Sequence, residues 1–134
     1  GLTPILCVGE TAAERKAGRA EAKVRRQLTA AFRQKSKIKN KKSEIVVAYE
    51  PIWAIGTGNP CGPEEASRMH AIIKNTVQQI IKKNVPVLYG GSVNPKNVAS
   101  FLRAPHVDGT LIGGASTQWS SLKKLIIIAY KISQ

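Results

Sequence analysis

One carboxylate in this chain stands where a strand must stop. Residues 45–49 (Ile-Val-Val-Ala-Tyr) form an unbroken apolar run, and Glu50-Pro51 follows directly. The run is rich in β-branched residues and reads as a strand buried on both faces, the kind found in parallel sheets. Pro51 ends it, because proline has no N–H for the ladder and restricts the residue before it. Next comes an apolar loop, Ile52, Trp53, Ala54 and Ile55, tipped by Gly56-Thr57-Gly58. A carboxylate at a strand end, followed by an apolar loop with a glycine tip, suits chemistry under a closing lid. Alone, a Glu before a Pro is usually a solvated strand end, and a single Gly-x-Gly carries little.

Two further strand ends are glycine-rich. Residues 85–89 run into Gly90-Gly91-Ser92, and residues 107–112 into Gly113-Gly114. Glycine lets backbone N–H groups approach an anion without side chains in the way. A phosphate held by Ser92, Gly113 and Gly114 needs no Lys or Arg. In many β/α barrels a phosphate sits at such loops, after the last two strands. One such loop would be no more than a tight turn; two in succession point to a site.

The elements that position these loops alternate. A first strand spans residues 4–8 and ends at Gly9. Thr11 and Glu14 have capping-box spacing. Val24, Leu28 and Phe32 recur at helical spacing, predicting an amphipathic helix over residues 19–34. After the lid, Pro63 fits a first helical position, with Glu64 and Glu65 in the first turn. Met69, Ile72, Ile73, Val77, Ile80 and Ile81 form the stripe of that helix, and Lys82 and Lys83 close it. These residues read as core, and His70 as a surface or packing residue. Asn94-Pro95 predicts a cap and a first-turn proline before a short helix with Val98, Phe101 and Leu102. His106 lies in a connector. A last helix from about Ser120 or Ser121 is expected to bury Leu122, Leu125, Ile126 and Ala129. Strand, helix, four times over, implies a parallel sheet with right-handed crossovers. The pattern allows a small doubly wound sheet or half of a (β/α)8 barrel of roughly 250 residues. In both, every distinctive loop lies at the C-terminal edge of the sheet.

Composition excludes several classes. Hydrophobic residues make up 43% of 134, which is not a disordered composition. The longest apolar run, residues 125–130, is too short to span a bilayer. Cys7 and Cys61 are too few for a disulfide framework and fit a reducing cytoplasm. The net charge of +13 comes from 21 Lys and Arg against 8 acids. Its densest run, residues 33–42, has no aromatic residue to stack on a base, so a solvated connector is expected rather than a nucleic-acid arm. A positive field would still attract a small phosphate dianion. The chain starts directly before an apolar strand and its only methionine is Met69, so it is expected to be part of a longer protein.

Three stretches together resemble one family. Tyr49-Glu50-Pro51-Ile52-Trp53-Ala54-Ile55-Gly56-Thr57-Gly58 is similar to the active-site loop of the triosephosphate isomerases. Tyr89-Gly90-Gly91-Ser92-Val93 and Asp108-Gly109-Thr110-Leu111-Ile112-Gly113-Gly114-Ala115-Ser116 match the same family in the same order. The resemblance covers the whole chain. It implies the α/β fold of the last four β/α units of a TIM (β/α)8 barrel, with residues 1–134 as the C-terminal half of one domain and the N-terminal half absent from this chain. It implies interconversion of dihydroxyacetone phosphate and glyceraldehyde 3-phosphate through an enediol, without metal or organic cofactor, in a cytoplasmic homodimer with no nucleic-acid or membrane partner. Carried over residue by residue, Glu50 matches the catalytic base, and Gly56, Ser92, Gly113 and Gly114 the phosphate donors. Trp53, Ile55, Thr57 and Gly58 belong to the lid. Tyr89 and Ser92 match residues that hydrogen-bond it when closed. Glu10 matches a residue near Trp53, and Cys7 a cysteine near the base, with burial in the core as its expected physical role.

The family places its catalytic Lys, an Asn and an electrophilic His in the first half of the barrel, and neither His70 nor His106 lies in a matching unit. The lid's second hinge, Asn59-Pro60-Cys61, departs from the usual Lys-Thr-Ala; Pro60 stiffens it, and Gly62 is a weaker cap than a hydroxyl. Alone, the chain is expected to be inactive and to associate through edge strands at residues 4–8 and 107–112. The competing expectations are a non-catalytic phosphate-binding half barrel and, on charge alone, a basic nucleic-acid-binding protein.

Overall fold

The computed structural model of the chain describes residues 2–33 and 44–134. All but the first residue of the Lys-rich run at 33–42 lies outside them. Four strands, β1 (Ile5–Val8), β2 (Val46–Tyr49), β3 (Val87–Tyr89) and β4 (Gly109–Thr110), pair in parallel in the order β1-β2-β3-β4. Among the described residues five α-helices lie between and after them: α1 (Ala12–Lys16), α2 (Ala20–Arg33), α3 (Pro63–Ile81), α4 (Val98–Leu102) and α5 (Trp119–Ser133). Strand order follows chain order with no reversal, and α2 packs on α3, α3 on α4, and α4 on α5. A doubly wound sheet would reverse its strand order and divide its helices between two faces. This sheet is wound one way only, as the arc of half a (β/α)8 barrel.

Local chemistry sets the element ends. Thr11 and Glu14 make the expected capping box: Thr11 Oγ1 accepts from Glu14 N at 3.2 Å, and Glu14 Oε2 from Thr11 N at 2.9 Å. Lys23 adds an ion pair at 2.7 Å and, with the Thr11 amide, holds the Glu14 carboxyl down at about 2. Pro63 opens α3 with Glu64 and Glu65 in its first turn, behind a Gly62 that offers no side-chain cap. The core lies between sheet and helices and includes Val24, Leu28, Val47, Met69, Ile73 and Phe101.

Several boundaries differ from expectation. Lys82 is not in the last turn of α3 but caps it in a left-handed conformation, φ 57°. Asn94 does accept from Lys96 N at 2.8 Å, yet residues 95–97 form a turn and α4 starts at Val98. β3 starts at Val87, two residues late, and β4 is two residues long where six were expected. β4 is a sheet edge with a ladder on one side only, and Gly109, a weak strand former, lies within it. α5 buries only Leu125; Leu122 and Ala129 are half-buried, and Ile126, Ile127 and Tyr130 are exposed. Among the described residues no helix is long and apolar enough to cross a membrane.

His70 is a packing residue, fully buried on α3, with its ring edge-on to Tyr49 at 6.0 Å. Neither ring nitrogen has a hydrogen-bond partner among the described residues. Burial dominates its titration, over the opposing influence of the His106 backbone and Asp108, and lowers its pKa to about 4. A base whose folded pKa lies below its unfolded value takes up its proton first in the unfolded state. Stability should therefore fall as pH drops from about 6.5 toward about 4, by about 2 kcal/mol at about pH 5. Urea unfolding near neutrality and near pH 5 checks this; His70→Phe should remove that part of the slope, and an unchanged slope would reassign it.

Candidate active site

β1, β2, β3 and β4 all deliver their following loops to one edge of the sheet. One cleft of about 380 Å³ opens there, lined by Glu50, the lid residues Ile55, Gly56 and Gly58, the loop 90–94 and residues 111–115. Among the described residues Glu50 is the only charged one in its wall, and no Lys or Arg contributes. Its backbone is pinned on both sides. Glu50 N donates to Val8 O at 2.8 Å, and Gly90 N to Tyr49 O at 2.8 Å. Gly90 must be glycine for the carboxylate to lie where it does, since a Cβ there would stand 2.6 Å from Glu50 Cγ.

The lid is fastened to the loop after β3. Ser92 Oγ donates to Ala54 O at 2.7 Å and accepts from Gly58 N at 3.0 Å. Tyr89, stacked on Phe101 at 4.2 Å, accepts from Cys61 N at 3.1 Å through its hydroxyl. Gly56 and Gly58 turn the tip with φ of 66° and 74°, values a side chain resists. Thr57 is exposed at the tip, its amide-side role being local: Thr57 Oγ1 accepts from Asn59 N at 3.2 Å. With both its hydrogen-bonding roles taken by the lid, the Ser92 hydroxyl has no proton to offer a ligand. The amides of Gly56, Ser92, Gly113 and Gly114 donate to no acceptor among the described residues. Four such amides along one cleft have the chemistry to donate to an anion. Ser92→Ala should release the lid at two points, at about 1 kcal/mol each. Hydrogen exchange at the Gly58 amide should then quicken by about tenfold or more, and unchanged protection would place the latch elsewhere.

The first hinge rests on a buried carboxylate. Glu10 is fully buried and accepts from Trp53 Nε1 at 2.8 Å and from Tyr49 OH at 3.1 Å. Arg15 reaches Glu10 at 3.5 Å and Glu65 at 3.0 Å, and its guanidinium lies 4.7 Å from the Trp53 ring centroid. Burial and the Glu10 charge push the Tyr49 phenol upward, so it stays a donor. The sequence pointed to Glu10 and Trp53 but not to Tyr49, Arg15 or Glu65. Tyr49 passed as one more apolar strand residue, and Arg15 and Glu65 stand 50 positions apart.

Cys7 departs from expectation. It lies on the open face of the sheet, exposed, and not in the core. Partial burial and the neighbouring Glu50 carboxylate push its thiol up to about 11, so it stays protonated beside that group.

A one-way β/α arc, with a carboxylate and unpaired amides under a latched loop at the C-terminal edge of the sheet, is the arrangement of a β/α-barrel site. The comparisons with known proteins narrow the class. The family model for triosephosphate isomerase matches residues 1–129. The chain is 44% identical over 131 residues to the triosephosphate isomerase of Albidiferax ferrireducens, covering 96% of this chain and 52% of that protein. It is 45% identical over 126 residues to that of a Picosynechococcus species (94% and 49%), and 44% identical over 131 residues to that of Delftia acidovorans (96% and 52%). The chain spans about half the length of the curated relatives it matches. It belongs to the triosephosphate isomerase family.

Proposed function

We propose that this chain is the second half of a triosephosphate isomerase, and that the full-length protein interconverts dihydroxyacetone phosphate and glyceraldehyde 3-phosphate. The observation that carries this is the cleft itself: among the described residues it has one carboxylate, no basic side chain, and four amides without an acceptor, beneath a loop fastened by Ser92 and Tyr89. The amides of Gly56, Ser92, Gly113 and Gly114 hold the phosphate dianion. Glu50 removes a proton next to the carbonyl and returns it to the neighbouring carbon through an enediol. Closing the apolar lid over the site excludes water and strengthens each of these interactions. Such a proton transfer needs neither metal nor organic cofactor. The group that polarises the carbonyl, and the catalytic Lys, come from the other half of the barrel. A cytoplasmic homodimer is the setting this reading carries.

A half barrel that binds phosphate without catalysis is the second reading. Glu50 in the cleft wall beside the donors favours the first. A coupled isomerase assay separates them. The full-length protein should turn over both triose phosphates, while residues 1–134 alone should be inactive and self-associating. A full-length protein that binds phosphate but does not isomerise favours the second reading. A monodisperse 134-residue monomer with turnover would sink the half-barrel account.

A further inference from the structure

Gln27 on α2 makes two hydrogen bonds that neither the core nor the cleft explains. Its Oε1 accepts from Gly9 N at 3.0 Å, and its Nε2 donates to Gly9 O at 3.0 Å. A primary amide offers the same donor and acceptor as a peptide group, so Gln27 pairs with Gly9 as a neighbouring strand would. The residues on either side of Gly9 bond the other way. Val8 O accepts from Glu50 N at 2.8 Å and Glu10 O from Ile52 N at 3.0 Å. The segment 8–10 is thus held between the β2 loop on one side and a single side chain on the other.

That segment meets the site twice. Gly9 lies flat on the Glu50–Pro51 peptide: a Cβ there would overlap the Glu50 carbonyl and stand 3.0 Å from Pro51 N. The next residue, Glu10, holds Trp53 at the lid's first hinge. Any shift of the Gly9 peptide is passed to the backbone that carries Glu50 and to the hinge.

We propose that Gln27 is a positioning residue for the reaction: its amide clamps the Gly9 peptide, which fixes the Glu50–Pro51 backbone and the Glu10–Trp53 hinge in the register the base needs. The inference rests on the reading of Glu50 as base. Gln27→Met keeps length and volume but leaves the buried N–H and C=O of Gly9 without partners. Gln27→Glu keeps an acceptor for Gly9 N but sets a carboxylate against Gly9 O.

The test is steady-state kinetics of both variants in the full-length protein, beside thermal unfolding, with Glu50→Gln as control. Each variant should lose about tenfold or more in kcat, with KM for the triose phosphate within about twofold, because the phosphate amides are untouched. The loss should persist well below the unfolding midpoint, which a merely structural role would not produce. Gln27→Glu, polar and of matching size, serves where the Met variant does not fold. A folded variant with unchanged kcat, or with a rise in KM alone, overturns the inference and leaves Glu50 as base. Full activity in Glu50→Gln would overturn that reading, and the inference with it.

Discussion

Glu50→Asp in the full-length protein should lower kcat on the order of a hundredfold while leaving the fold intact. The substitution keeps the charge and the strand end but withdraws the carboxylate by one methylene. Proton transfer needs hydrogen-bond reach, and a misplacement of about 1 Å can cost on the order of a hundredfold. The effect should fall on kcat, because the amides of Ser92, Gly113 and Gly114, the proposed phosphate donors, are untouched. Thermal unfolding should move little, since surface substitutions usually stay within about 0.5 kcal/mol. Steady-state kinetics beside a melting curve separates the two. Near-wild-type kcat would return Glu50 to a solvated strand end.

Gly113→Asp should abolish tight binding of a phosphate-bearing inhibitor. Gly113 is exposed in the cleft wall, and a Cβ there meets nothing within 4 Å, so the protein has room for the side chain. The new carboxylate would face the phosphate dianion across the proposed donor site. Like charges brought together in a binding site cost several kcal/mol, a loss of about a hundredfold or more in affinity. Calorimetric titration with unchanged affinity and an intact fold would place the phosphate elsewhere.

Much of this arrangement is legible in the chain because it is local. Pro63 with Glu64 and Glu65 marks the start of α3, and Thr11 with Glu14 makes the capping box of α1. The strand–Glu–Pro–lid string and the two glycine pairs converge on one cleft because β/α alternation sends every such loop to the same edge. What the sequence hides is non-local. Ile126 follows the helical period of α5, but periodicity marks an apolar face without saying what covers it. The six positions 107–112 expected as a strand make only two residues of ladder, because strand length depends on neighbours. Gln27 sits on a polar stretch of α2 with nothing to set it apart, and its partner lies 18 positions upstream. Tyr49 reads as core, and it is; that its hydroxyl meets Glu10, 39 positions away, follows only from the register of β1 on β2.

Solvent exchange at the substrate tests the central claim most directly. The full-length protein, incubated with dihydroxyacetone phosphate in deuterium oxide, should place deuterium on the carbon next to the carbonyl as an enediol forms and collapses. The Glu50→Gln variant should bind the same compound through the phosphate amides and leave that carbon unlabelled. NMR of the recovered substrate reads both. Labelling by the wild type that vanishes in the variant is the result this account predicts; labelling that survives without the carboxylate, or a wild type that binds and never exchanges, would contradict it.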